Sequence, residues 1–407
     1  MQERSYEVVV WGATGFTGRL VVEYLLNQYG TNSKLRWAIA GRNQTKLEEV
    51  CKQLEAPTLP LIIADSHDKA SLEVMVRQTQ VICSTVGPYA LFGTQLVEAC
   101  VENGTDYCDL TGEVQWIRKM IDTHHEQASE KQAKIVHCCG FDSIPSDFGV
   151  YFLQKEAQAR LGEYCQHIKM RVKGAKGGFS GGTYASLSNV LAEAEDNPKI
   201  YEILQNPYSL NPPGERSGPD QFDLSQAAFD EDLQRWISPF VMAAINTKIV
   251  RRSHALSGYP YGKDFQYEEA TLHGKGLKSR SIANISAGIG GLLSRATPNS
   301  FIKKTADRFL PKPGEGPSKE VREAGYFNLL FLGKLADGYQ LRAKVTGDKD
   351  PGYGSTSKML AESAVCLALE KDNLPKQYGV LTPTTAMGDI LLDRLSINAG
   401  LTFEIKE

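Results

Sequence analysis

The sequence predicts an α/β protein built first on a doubly wound parallel sheet, and three observations carry that reading. Apolar strands and amphipathic helices alternate with short joins from Tyr6 to Cys138. A glycine turn, Gly12-Ala13-Thr14-Gly15-Phe16-Thr17-Gly18, joins the first strand to the first helix. Beyond residue 150 long hydrophobic strands are separated by long helical insertions, the texture of a mixed or antiparallel sheet.

The first strand is Tyr6-Glu7-Val8-Val9-Val10-Trp11, and its helix carries Leu20, Val21, Tyr24 and Leu25. The second strand, 35–40, ends in Gly41-Arg42-Asn43, with Lys46 one turn into the helix 46–55. Strand 59–64 ends in Asp65-Ser66 and leads to helix 70–77. Strand 80–85 runs into Val86-Gly87-Pro88-Tyr89, followed by helix 93–103, strand 107–110, helix 113–132 and strand 134–138. In the second part the strands are 167–172, 265–272, 326–332 and 339–345, and the tail returns to helix at 356–371 and from Thr382-Pro383. Two Pro- and Gly-rich stretches, 206–223 and 311–317, read as loops. The organisation expected is a Rossmann-type nucleotide domain over 1–148, an α+β substrate-facing domain over 149–350, and a helical segment over 351–407 that packs back on the first.

A sheet of this kind binds ligands at the carboxyl ends of its strands, where this chain concentrates glycine and polar residues. Glycine allows a tight turn and brings bare N–H groups to an anion, and the helix start adds about half a positive charge, so residues 12–18 suit a dinucleotide pyrophosphate. The tip of the second strand meets the adenosine ribose. Arg42 there, with no carboxylate, suits a 2′-phosphate. A charged hydrogen bond of about 1.5–3 kcal/mol gives roughly tenfold to hundredfold preference for NADPH over NADH. Of the remaining tips, Asp65-Ser66 belongs to the adenosine half. Gly87-Pro88-Tyr89, Thr111-Gly112-Glu113 and 140–145 surround the nicotinamide.

A reductase must deliver a proton as well as a hydride. Tyr89 and Asp142 are the candidate donors, the alternatives being ring packing for Tyr89 and helix capping for Asp142. Tyr-x-x-x-Lys occurs twice, at Tyr151/Lys155 and Tyr259/Lys263, each lacking the strand and serine context of a proton relay. The glycine-rich stretch 174–183 joins a strand to a helix, as a wide turn or as a holder of a carboxylate, carbonyl or phosphate.

With 407 residues, 42% of them hydrophobic, the chain can form several full cores, and a net charge of −3 gives no general attraction to nucleic acid. The eight cysteines have no C-x-x-C spacing and read as buried thiols; no metal site is expected, at His137-Cys138-Cys139 or elsewhere. No apolar leader or membrane-length stretch is visible, so the expectation is a cytoplasmic protein, or one peripheral at a membrane or lipid surface. Between Lys275 and Lys312 eight basic residues face one acidic residue among apolar ones, which suits a membrane surface, an acidic carrier protein or a CoA-linked acyl chain, or else a solvated helix pair. A homodimer is also open to the chain.

The motifs together resemble the saccharopine dehydrogenase-like oxidoreductases, in the branch of the trans-acting enoyl reductases. They are Gly-Ala-Thr-Gly-Phe-Thr-Gly at 12–18, Ala-Gly-Arg-Asn at 40–43, Val-Gly-Pro-Tyr at 86–89, Asp-Leu-Thr-Gly-Glu at 109–113, Cys-Gly-Phe-Asp-Ser-Ile-Pro-Ser-Asp at 139–147, Ser-Gly-Gly-Thr at 180–183 and Pro-Lys-Pro-Gly-Glu-Gly-Pro at 311–317. The resemblance implies NADP as cofactor and a lipid or polyketide-type enoyl substrate. Cofactor contacts are expected at Gly12, Thr14, Gly15, Phe16, Thr17, Gly18, Arg42, Lys46, Asp65, Ser66, Thr85, Gly87 and Pro88. Substrate contacts would fall at Thr111, Glu113, Phe141, Ser143, Ser180 and Thr183. An amino-acid dehydrogenase of the saccharopine type, and a non-catalytic NADP-binding scaffold at a membrane surface, are the alternatives.

Overall fold

The structure is a computed structural model that describes residues 4–31, 34–177, 181–293 and 316–406. The chain forms two compact units. The first runs to Ile144 and takes back Gly352–Gly400; the second runs from Pro145 and includes the chain from Leu401.

The first unit opens with β1 (Tyr6–Trp11), α1 (Phe16–Tyr29), β2 (Trp37–Gly41), α2 (Gln44–Gln53), β3 (Leu61–Ile63), α3 (Lys69–Arg77) and β4 (Thr79–Ser84). It continues with α4 (Tyr89–Phe92), α5 (Thr94–Glu102), β5 (Asp106–Asp109), α6 (Val114–Glu130) and β6 (Lys134–Val136). The second unit holds most of α7 (Ile144–Leu161), then β7 (His167–Lys176), α8 (Gly181–Asp196), α9 (Pro198–Gln205), β8 (Ala228–Asp230), β9 (Arg235–Ser238) and α10 (Ala243–Leu256). After them come β10 (Gln266–Leu272), α11 (Gly276–Leu293), α12 (Lys319–Glu323), β11 (Tyr326–Lys334) and β12 (Gln340–Gly347). The chain returns to the first unit as α13 (Thr356–Leu369), β13 (Gly379–Leu381) and α14 (Pro383–Ile397), and ends in the second as β14 (Leu401–Lys406).

The first sheet has the order β13-β6-β5-β4-β1-β2-β3, with every pair parallel. Both faces are covered, so its strands are continuous apolar runs: Val8, Val9, Val10, Ile39 and Ile82 are fully buried. The order reverses at β1 and β4, which places a ligand crevice at the carboxyl ends of those two strands. The second sheet, β14-β12-β11-β7-β10-β9-β8, is mixed, with β7 and β10 parallel and its other pairs antiparallel.

Three details differ from the sequence reading. Gly174, Ala175 and Lys176 belong to β7, where Gly174 pairs with Asn328, so the glycine-rich turn starts later than its composition suggested. Gly379-Val380-Leu381 supplies a seventh parallel strand beside β6. The tail is not helical to its end, since β14 pairs with β12.

The returning helices are tied to α1 by one buried carboxylate. Glu362, fully buried on α13, accepts the hydroxyls of Tyr24 (2.7 Å) and Tyr29 (2.6 Å) on one oxygen, and Arg394 Nε (3.0 Å) and Asn398 Nδ2 (3.2 Å) on the other. Glu362→Gln keeps the shape but sets an amide against at least one donor and removes the charge opposite Arg394. The expected result is a loss of about 1–3 kcal/mol in urea unfolding.

Candidate functional site

The β1–α1 turn needs glycine because its own backbone and the β4 tip pack tightly against it. Gly12 has φ +87°, and a Cβ on it would lie 2.5 Å from Val86 Cγ2; one on Gly18 would lie 2.1 Å from the Gly12 carbonyl oxygen. Gly15 is the N-cap of α1 and brings no capping side chain, so that helix start has no side-chain acceptor of its own. Thr85 Oγ1 donates to the Trp11 carbonyl oxygen (3.0 Å), fixing the β4 tip to the turn, and Gly87-Pro88 follows as a cis peptide. Phe16 packs its ring edge-on against Tyr353, centroids 4.8 Å apart, while the Thr14 carbonyl accepts from Arg19 Nε (3.2 Å). Thr17 is half-buried in the first turn of α1.

At the β2 tip Asn43 Oδ1 accepts from the backbone N–H of Lys46 (3.0 Å) and so caps α2. Arg42 and Lys46 extend exposed side chains, neither hydrogen-bonded nor ion-paired among the described residues. At the β3 tip Asp65 turns its carboxylate onto the backbone N–H of His67 (2.9 Å), and Ser66 is half-buried. The glycine cradle and the unengaged Arg42 fit a dinucleotide carrying an extra phosphate.

The β4, β5 and β6 tips are joined by buried carboxylates. Asp109 accepts from the Tyr107 hydroxyl (3.0 Å), His137 Nδ1 (2.8 Å), and the backbone N–H groups of Thr111 (3.1 Å) and Cys138 (3.3 Å). Thr111 Oγ1 accepts from the Glu113 N–H (3.1 Å), and Glu113 turns back to accept from the N–H groups of Tyr89 (2.8 Å) and Ala90 (2.9 Å). Thr111 and Glu113, expected to face substrate, are thus buried at 1% exposure and oriented inward, with Glu113 capping α4. Signals for this were present in the chain. Asp109, Thr111 and Glu113 alternate at two-residue spacing, and an Asp or Thr side chain readily accepts the N–H two residues on.

The two proton-donor candidates lie in different surroundings. Tyr89 is 3% exposed; its hydroxyl donates to the Ser84 carbonyl oxygen (3.1 Å), its ring lies 5.5 Å from that of Trp116, and burial raises its pKa well above 10.0. Asp142, just past the β6 tip, is half-buried, and no hydrogen bond or ion pair to its carboxylate exists among the described residues. Desolvation alone pushes it from 3.8 to about 7. Its neighbour Phe141 is held by its N–H on Thr356 Oγ1 (3.0 Å), and Ser143 is fully buried with its hydroxyl on the Asp142 carbonyl. Ser180 lies outside the described residues; Thr183 falls within α8, but its side chain lies outside them too. Among the described residues no group of three or more His, Cys, Asp or Glu side chains could hold a metal ion, and no helix is long and apolar enough to cross a membrane.

Comparison with known proteins agrees with this architecture. Residues 8–136 match the saccharopine dehydrogenase NADP binding domain. A Mycobacterium ulcerans protein named trans-acting enoyl reductase is 39% identical over 97% of this chain and 96% of its own length. A Mycobacterium tuberculosis protein of the same name is 37% identical over the same shares. Apo saccharopine dehydrogenase (L-Glu forming) from Saccharomyces cerevisiae covers 99% of this chain and 100% of its own with a TM-score of 0.52 and 13% identity, a likeness of fold. First a dinucleotide cradle, then a family match over the sheet that carries it, then relatives along nearly the whole chain: this protein belongs to the saccharopine dehydrogenase-like oxidoreductases, in the branch of the trans-acting enoyl reductases.

Proposed function

We propose that this protein is an NADPH-dependent reductase of an activated C=C bond in a lipid or polyketide-type acyl substrate, with Asp142 as the proton donor. The observation that carries the reading is the Asp142 carboxyl, which has no hydrogen-bond or ion-pair partner among the described residues and sits past the β6 tip with its pKa raised by burial to about 7. Reducing an enoyl group adds a hydride at the β-carbon and a proton at the α-carbon, and bound NADPH supplies the hydride. The chain's own part is to bind, orient and protonate. Gly12 and Gly18, where a Cβ would strike Val86 and the Gly12 carbonyl, let the turn close tightly onto the uncapped start of α1, which would hold the pyrophosphate, and the exposed Arg42 and Lys46 would hold the 2′-phosphate. Asp142, half protonated near neutral pH, gives its proton to the α-carbon. Tyr89 supports the site through its backbone, because its phenol is bonded inside the sheet.

The amino-acid dehydrogenase reading calls for cations that hold several substrate carboxylates. Arg171 and Arg251, buried in the second unit, are instead engaged internally, Arg171 with Asp230 (2.8 Å) and Glu268 and Arg251 with Asp220 (2.5 Å). Calorimetric titration with NADPH and NADH, on the native chain and on Arg42→Ala, tests the cofactor assignment. The expected result is about tenfold to hundredfold preference for NADPH that Arg42→Ala abolishes. Equal affinity for both nucleotides in the native chain contradicts the assignment.

A further inference from the structure

Helix α11 in the second unit is amphipathic the wrong way round for a helix that only packs on its own sheet. It lies against β9, and the Arg280 guanidinium sits 5.2 Å over the Trp236 ring. Among its described side chains, those it buries or half-buries are small: Ser279, Ala283 and Ala287, at four-residue spacing. The large apolar side chains described on it face solvent instead, with Leu277 78%, Ile285 63% and Ile282 44% exposed. At 100° per residue Leu277, Ser281 and Ile285 fall on one outward stripe, with Lys278 and Ile282 on its flank. Lys275, Lys278 and Arg280 are exposed around the same stripe, and the helix contains no Asp or Glu.

We propose that α11 is an interfacial helix through which the protein lies on an anionic membrane surface, with Leu277, Ile282 and Ile285 entering the headgroup–acyl boundary and Lys275 and Lys278 meeting lipid phosphates. A helix with an apolar outer stripe and basic flanks is the pattern of an in-plane membrane helix. An acidic carrier protein would be met by the basic residues and leaves the protruding Leu and Ile unexplained. The charge sign fits only an anionic surface, because each exposed basic residue is attracted to such lipids. The inference does not depend on the reaction catalysed.

Co-sedimentation of the full chain with vesicles of phosphatidylcholine alone, and of phosphatidylcholine mixed with phosphatidylglycerol, tests it. Binding is expected to the mixed vesicles only and to weaken with salt. Leu277→Asp/Ile285→Asp and Lys275→Glu/Lys278→Glu should each lower partitioning about tenfold or more. Melting temperature and NADPH titration should be unchanged, because all four side chains are exposed. The proposal is overturned if the mixed vesicles bind no protein or if both variants bind like the native chain. It is also overturned if α11 substitutions abolish self-association, or binding to a purified acidic acyl carrier protein, with no vesicle binding to lose.

Discussion

Asp142→Asn is expected to lower kcat about 10²–10⁴-fold with NADPH affinity unchanged, because an amide cannot deliver the proton that completes reduction. The carboxyl titrates at about 7, so turnover of the native enzyme should fall as pH rises through that value, and the Asn variant should lose this alkaline limb. The same titration also affects stability. A carboxyl whose pKa is raised on folding binds its proton more tightly in the folded chain, so the native protein loses stability as pH climbs from near 3.8 towards 7. Asp142→Asn should therefore be more stable than the native chain at alkaline pH, by about 1–2 kcal/mol once partial exposure is allowed for, and should show little gain in acid. A pH–rate profile and urea unfolding at two pH values check both consequences. An unchanged rate profile removes Asp142 from the chemistry, leaving the stability effect as that of an ordinary half-buried carboxyl.

The second large effect is expected at Asp109. Asp109→Ala leaves the Tyr107 hydroxyl, His137 Nδ1 and two backbone N–H groups buried without their acceptor. The cost should be about 3–5 kcal/mol in urea unfolding, comparable to breaking a buried ion pair. Asp109→Asn, which retains one acceptor oxygen, should recover part of it. Because the carboxylate ties the Thr111 and Cys138 backbones, and Thr111 leads through Glu113 to Tyr89, the folded Asn variant should also lose kcat rather than cofactor affinity. A variant as stable as the native chain would show that the four contacts contribute little.

Much of the fold was legible because alternation of strand and helix is a local signal. Val8-Val9-Val10, Ile39 and Val81-Ile82-Cys83 are uninterrupted apolar runs, as strands buried on both faces must be. β13 was not legible. Its three residues become a strand only because β6 presents an edge to them across about 240 residues of chain, a partner that no local pattern reveals. β8 and β9, of three and four residues, escaped for the same reason. In the site, the glycine turn and Arg42 could be read because backbone geometry and charge at a strand tip belong to residue type. The direction of Glu113 could not: whether a carboxylate near a strand end faces a ligand or folds back onto a helix start depends on where α4 lies, and only the packed structure supplies that.

The bond that is reduced, C=C or C=N, separates the two reactions open to this fold. The most direct measurement is mass spectrometry of the product formed from a 2-enoyl thioester of a long-chain acyl group and NADPH deuterated at its transferable position. A saturated product with deuterium at the β-carbon is the expected result. Absence of the saturated product with active, NADPH-bound protein, together with NADPH-dependent joining of an amino acid to a keto acid, would contradict the account and assign the chain to imine reduction.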